Sequence, residues 1–372
     1  NGVITYDGDG TGTVESLLTF DGNGFYSTVA QSTFGEDAAG FGCVVISDDN
    51  FGGELGILTT NDYVIGAQMS NCTMEYGGNQ PGNSTIGVDF VSCNVCLGKI
   101  NTHIIGGTYG TIAGGLSNKS NGTYSFIGAG HLNTASCSYS FIGAGLCNYN
   151  NSTNSFIGAG SLNCVSGAGH NVVVGGCLNK ADGNNNFSFI GGGYFNNANA
   201  SSGRCGQVIV GGILNQVCSY QGSILGGCKN LVTGNKSSVV GGILNTASGT
   251  CSFVGGGSNN RVINQYSSII GGSDNLDGSQ YSIIGGGQIN EITLNGCCSS
   301  MVGGYNNCIN NPLSFIGGGY ENGITRPLMM STAFSFIGGG CQNQVTSSLS
   351  SIVGGYQNQL PEGSNCSFIG GG

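Results

Sequence analysis

The sequence predicts an all-β protein. It reads as a parallel β-solenoid, or β-roll, of about 17 short coils over residues 104–372, with a separate β-rich module over residues 1–103. Three observations carry this reading. One phrase recurs, as "SFIGAGHLN" at 125–133, "SFIGAGLCN" at 140–148, "SFIGAGSLN" at 155–163, "SFIGGGYEN" at 314–322 and "SFIGGGCQN" at 335–343. The phrase returns most often after 15 residues. In every complete copy an Asn stands six residues after the aliphatic residue. A fixed short period sustained over this length is the signature of a stacked repeat.

The repeat is anchored on the apolar residue three before the second Gly of each "GG" or "GAG". The anchors run from Ile112, Ile127, Ile142 and Ile157 through Val239, Val254, Ile269 and Ile284 to Met301, Ile316, Ile337, Ile352 and Ile369. The longer steps keep the anchor-to-Asn distance, so their extra residues fall after the Asn, where loops are expected. Fifteen residues are too few for two helices and a turn. The β-branched residues and Phe before the glycines suit short strands, and the Gly pairs and Asn suit turns. Coils stacked about 4.8 Å apart would make a rod of roughly 75–80 Å from sixteen steps. Asn in register can form an amide ladder, each side chain bonding its neighbours above and below. That structural role is the reading adopted for the Asn row.

A volume rule flanks the anchor. Where Phe precedes it, Gly follows, as in Phe126/Gly128, Phe141/Gly143, Phe253/Gly255 and Phe315/Gly317. Where Ser precedes it, a bulky residue follows, as in Ser223/Leu225, Ser238/Val240, Ser268/Ile270 and Ser351/Val353. These two positions share the strand face opposite the anchor. Constant apolar volume is what a packed surface demands. Both strand faces are therefore expected to be buried, one inside the coil and the other against the opposite wall or another chain.

Composition agrees. The chain has 74 Gly, 4 Pro, no Trp and 7% charged residues among 372. Without a Gly-X-Y period this is not collagen. With 38% hydrophobic residues and so little charge it is not a solvated disordered chain. Residues 1–110 hold twelve of the eighteen acids against Lys99 alone, which marks the first module as acidic, a capping or attachment unit. No Lys/Arg cluster marks a nucleic-acid binder. No apolar run approaches the ~18 residues of a membrane helix, and no basic-then-apolar leader opens the chain. The final "SFIGGG" stops in mid-phrase, so the natural chain is expected to continue or to be capped by a partner, because an open solenoid end exposes unpaired strand edges.

The phrase "YSFIGAGHLNTASCS" (124–138) resembles the head repeats of trimeric autotransporter adhesins, the YadA-like β-roll. It is also similar to 15-residue Gly-Gly-Gly-x-x-Asn repeats of viral and phage fibre proteins. The resemblance covers about 104–372. It implies a homotrimer of parallel solenoids, or a higher self-assembly, serving display or adhesion. It points to an extracellular fibre on a virion or cell surface, with a host-surface glycan or receptor as partner and no enzymatic activity.

Candidate chemistry is sparse. "DGDGTGT" (7–13) places Asp7, Asp9 and Thr11 at calcium-ligand spacing, yet Leu18 stands where a bidentate Glu belongs, and a Gly-rich turn explains it as well. "DGNG" (21–24) reads as a hairpin turn. The Gly triplets recur without a helix start or Lys, so they are not phosphate loops. "CNVC" (93–96) has the gap of half a zinc site, with only His103 nearby. Cys177, Cys228 and Cys341 share one register and Cys251, Cys298 and Cys366 another, always on non-adjacent coils, so ladder disulfides are not expected. Most Cys are read as small apolar filler. His131 and His170 lack a nucleophile partner. The alternative function, a glycan-processing tailspike, rests on Asp277 and Glu291, which fall on successive coils in nearly matching register. Asn71, Asn83, Asn121 and Asn235 fit glycosylation acceptors, as many Asn in so Asn- and Ser/Thr-rich a chain would. No residue is assigned as catalytic, cofactor-binding or metal-binding.

Overall fold

The structure is a computed structural model that describes residues 107–183, 187–200, 206–325 and 334–372, together with the strand backbones between Gly2 and Ile105. Every assigned element is a β-strand. The chain forms two compact units, Asn1–Gly160 and Ser161–Gly372.

In the first unit, Gly2–Tyr6 pairs antiparallel with Gly12–Phe20, which pairs in turn with Phe25–Ser27. Phe20 lies opposite Phe25; "DGNG" (21–24), read as a hairpin turn, lies outside the described residues. Five further strands, Glu54–Thr59 through Asn94–Gly98, form an antiparallel meander. The last of them then pairs in parallel with Thr111–Ile112, Val95 against Thr111 and Cys96 against Ile112. From there the coils begin. Phe126–Ile127, Phe141–Ile142 and Phe156–Ile157 stack in parallel register. A second ladder runs beside them through Lys119–Ser120, Thr134–Ala135 and Tyr149–Asn151.

The second unit continues the same plan. One parallel ladder holds the anchors from Val172–Val173 to Phe368–Ile369. The other runs from Cys164–Ser166 to Gln359–Leu360. The parallel β-solenoid is thus the fold. Its second strand follows the Asn directly in every coil, so all insertions fall after that strand.

The coil from Val239 to Val254 shows how the residues dictate the path. Val239 points inward and is fully buried, as are its counterparts Ile224, Val254 and Ile269. Ala247, on the second strand, closes the core from the other side. Between them the backbone turns at three left-handed positions: Gly242 (φ 87°), Leu244 (φ 60°) and Cys251 (φ 56°). Bulky residues rarely adopt this conformation. Here the ladder holds them: the N–H of Leu244 donates to the Cys228 carbonyl at 3.0 Å, and that of Cys251 to Asn235 at 2.8 Å, both in the preceding coil. The strand N–H groups donate the opposite way, Thr246 to Asn260 at 2.8 Å and Val240 to Val254 at 3.0 Å. Each coil is therefore bonded to both neighbours.

The glycines divide by task. A Cβ on Gly242 would lie 2.1 Å from the Gly257 carbonyl oxygen and 2.5 Å from Asn245 Nδ2. A Cβ on Gly241 would meet nothing. This explains why the phrase varies between "GGG" and "GAG": Ala129, Ala144 and Ala159 stand at the open position, never at the crowded one.

Two polar rows run through the interior. Asn245 is buried; its N–H donates to Asn230 Oδ1 at 3.0 Å. Its Nδ2 donates to Gly241 O at 2.8 Å and to Gly257 O at 2.9 Å, and its Oδ1 accepts the Asn260 N–H at 3.0 Å. The expected amide ladder is present, but the rung is mainly backbone N–H to side-chain oxygen. The amide nitrogen is spent on the glycine corner, where Gly257 O also accepts the Ile243 N–H at 2.9 Å. The second row is Ser, two before the anchor. Ser252 N–H donates to Ser237 Oγ at 3.0 Å, and Ser237 Oγ donates to Gly249 O at 2.6 Å.

Candidate self-association interface

The strand face opposite the core is where the volume rule is written, and it points to solvent. In the second unit Val210, Leu225, Ile270 and Val302 are 51%, 49%, 49% and 58% exposed. In the first unit Phe126, Phe141 and Phe156 stack face to face with centroids 5.0 Å apart, and Phe156 is itself exposed. The volume rule has a direct geometric cause. The Cε1 of Phe126 lies 3.4 Å from where a Cβ on Gly128 would be, and the same holds for Phe315 and Gly317. Each ring folds over its own strand's glycine. Where Ser replaces Phe, the following aliphatic fills that place, and Ser223 Oγ donates to Ser238 Oγ at 2.8 Å beneath the row. The opposite wall of the coil does not cover this face, because that wall packs against the anchors. Only one of the two strand faces is buried within the chain.

The adjoining corner extends the apolar surface. Ile213, Leu214, Ile243 and Leu244 are exposed beside the strand face. Several later coils carry polar residues at the second of these positions, though Ile289 keeps it apolar. Asn259 donates to Asp274 at 2.8 Å, Gln342 to Glu321 at 2.8 Å and Gln357 to Gln342 at 3.0 Å. Hydrogen bonds from Ser273 and Asn259 hold the Asp274 carboxyl below its ordinary range, and those from Gln342, Tyr320 and Asn306 do the same for Glu321. Both acids stay ionised on a wet edge.

The carboxylate pair considered for glycan chemistry is not brought together. Asp277 aligns with Val262 and Ile292 in the inward column and is fully buried, whereas Glu291 aligns with Leu276 on the outward side. A one-residue difference in register turns side chains to opposite faces. Burial pushes the Asp277 carboxyl up to about 6, against hydrogen bonds from Ser282 Oγ (2.5 Å) and the Ser279 N–H (3.2 Å) that lower it. No protein group bonds its Oδ2.

The described cysteines are free thiols, and none is fully buried. Read from the sequence as small apolar filler, they sit part-buried or exposed at outward strand, corner and loop positions, as Cys228 does between Ile213 and Ile243. His131 is exposed between Leu116 and Leu146, and His170 stacks on Phe187 at 4.9 Å. Asn121 and Asn235 are exposed. Asp7, Asp9, Thr11, Asn71, Asn83 and His103 lie outside the described residues, as does the side-chain geometry of "CNVC". No group of three or more potential metal ligands occurs among the described residues. No helix among them is long and apolar enough to cross a membrane.

Sequence reasoning missed three features of this surface: the second strand, the Ser row and the direction of the volume-rule face. The first had a signal, the small or β-branched residue eight after most anchors, as in Ala135, Val165, Val217 and Ile292. No protein-family model matches the chain, and no curated protein matches its sequence.

Proposed function

We propose that the chain is a non-enzymatic structural fibre element that self-associates through its apolar outer face. Three parallel copies form the unit of assembly, displayed on a virion or cell surface to hold a glycan- or receptor-binding element away from its base. The observation that supports this most is the exposed row typified by Val210, Leu225, Ile270 and Val302. Monomeric soluble proteins seldom expose contiguous apolar patches beyond a few hundred Å², and a row repeated on coil after coil exceeds that. A wet face would have no reason to trade Phe–Gly against Ser–aliphatic at constant volume. In-register copies would meet like surfaces at every coil, and the "YSFIGAGHLNTASCS" resemblance favours three. Glycan cleavage has no comparable support, since Asp277 and Glu291 face opposite ways.

Chemical cross-linking of the purified chain tests the assembly, with a ladder ending at the trimer expected and a persistent monomer refuting it. Immunogold labelling of the native particle or cell tests the display, with surface label expected and purely internal label refuting it.

A further inference from the structure

We propose that Cys297 and Cys298 form a redox-active vicinal dithiol, which closes to an intrachain disulfide on meeting a hydroperoxide and reopens with a dithiol reductant. The two Sγ atoms lie 3.3 Å apart. Cys298 is exposed and Cys297 part-exposed, so a small oxidant reaches both. The pair sits in the segment "NEITLNGCCSSM", within a step from Ile284 to Met301 of 17 rather than 15 residues. The surplus is a turn rather than a loose loop. Gly296 N–H donates to Thr293 O at 2.9 Å and Ser299 N–H to Gly296 O at 3.2 Å. Flanking coils fix the pair from both sides: Cys298 N–H donates to Gln280 O at 3.0 Å, and Leu313 N–H to Cys297 O at 2.8 Å. Among the described residues no other pair of thiols is in contact. Cys177 stands between Ser161 and Tyr194, and Cys341 between Tyr320 and Tyr356.

The chemistry balances with a hydroperoxide ROOH as oxidant. One thiolate attacks the terminal oxygen, the O–O bond breaks, and ROH leaves with a proton, giving a sulfenic acid. The neighbouring sulfur displaces the hydroxyl, which departs as water with the second thiol's proton, and the S–S bond forms. Two thiols lose two electrons in total and the peroxide gains them. Hydrogen bonding to Cys298, followed by burial, raises the Cys297 thiol above its ordinary range. Closure should therefore speed up as the pH rises towards the alkaline side, because the thiolate is the nucleophile.

The test uses the full chain, reduced, freed of reductant, treated with hydrogen peroxide, alkylated and digested for mass spectrometry. The 297–298 peptide is expected to lose two hydrogens, escape alkylation, and regain both alkyl groups after dithiothreitol. Phenylarsine oxide, which bridges paired thiols, is expected to bind the reduced chain and protect both sulfurs together. In Cys298→Ser, peroxide protection of Cys297 as a disulfide should be lost. Full alkylation of both sulfurs after peroxide, bridging of either to a different cysteine, or unchanged protection in Cys298→Ser would each overturn the proposal.

Discussion

Asn245 and Asn230 are joined across one coil by a 3.0 Å hydrogen bond from the backbone N–H of the former to the Oδ1 of the latter. The same bond recurs at Asn260, Asn290 and Asn322. A coil this small has no thick core. Its stability comes from fully buried aliphatic residues on both strands plus an Asn row whose side-chain donors and acceptors are met.

Asn245→Ala should therefore cost more than its size suggests. It removes the acceptor for Asn260 N–H and the side-chain donor for Gly241 O, while Gly257 O keeps the Ile243 N–H at 2.9 Å. Each orphaned buried group costs about 1–3 kcal/mol, so a loss of roughly 2–5 kcal/mol is expected in denaturant unfolding of the full chain. A change below ~1 kcal/mol would contradict the ladder's role.

Gly242→Ala and Gly241→Ala form a matched pair one residue apart. The first adds a Cβ at positive φ, 2.1 Å from a carbonyl oxygen of the next coil, and should destabilise strongly. The second enters open space and should be neutral or stabilise by about 0.4–1 kcal/mol through the unfolded chain. Equal effects in thermal melts would refute the assignment of the two glycines.

Much of this was legible in the sequence. The anchors, the Asn row and the placement of insertions are periodic, and a period survives any choice of strand face. The second strand was obscured because its inward position holds residues as different as Ser120, Asn150, Val232 and Asp277. A narrow coil accepts polar side chains there when neighbours satisfy them. Nor could pattern alone decide whether the Phe/Gly face meets the opposite wall or another chain, since both reward constant volume.

Asp277→Asn should remove a pH dependence. The folded carboxyl is raised to about 6 by burial, against about 3.9 when unfolded. A raised acid favours the folded state at low pH, and that contribution fades as the pH climbs from about 4 to about 6. On the order of 3 kcal/mol is at stake by linkage. The variant should be more stable than the parent at pH 7 and lack this slope. The coil already accepts the amide: Asn150 occupies the equivalent inward position, its Nδ2 donating to Ser155 O at 3.0 Å and Phe141 O at 3.2 Å. Urea midpoints at pH 4, 5, 6 and 7 check this, and identical pH profiles for both proteins would count against it.

Removing apolar surface from the outer face should act on assembly rather than on the coil. Val240→Asp with Ile270→Asp leaves the anchors Val239 and Ile269 in place, since those face inward. Circular dichroism should retain its β signature at low concentration while association is lost. Collapse of the β signal together with association would mean the face is needed for the coil itself.

The mass of the intact chain in solution, by sedimentation equilibrium or native mass spectrometry, tests the central claim most directly. Three times the chain mass is expected for the parent protein, and dissociation for the Val240→Asp, Ile270→Asp variant. A parent chain that is monomeric and soluble at high concentration would contradict it.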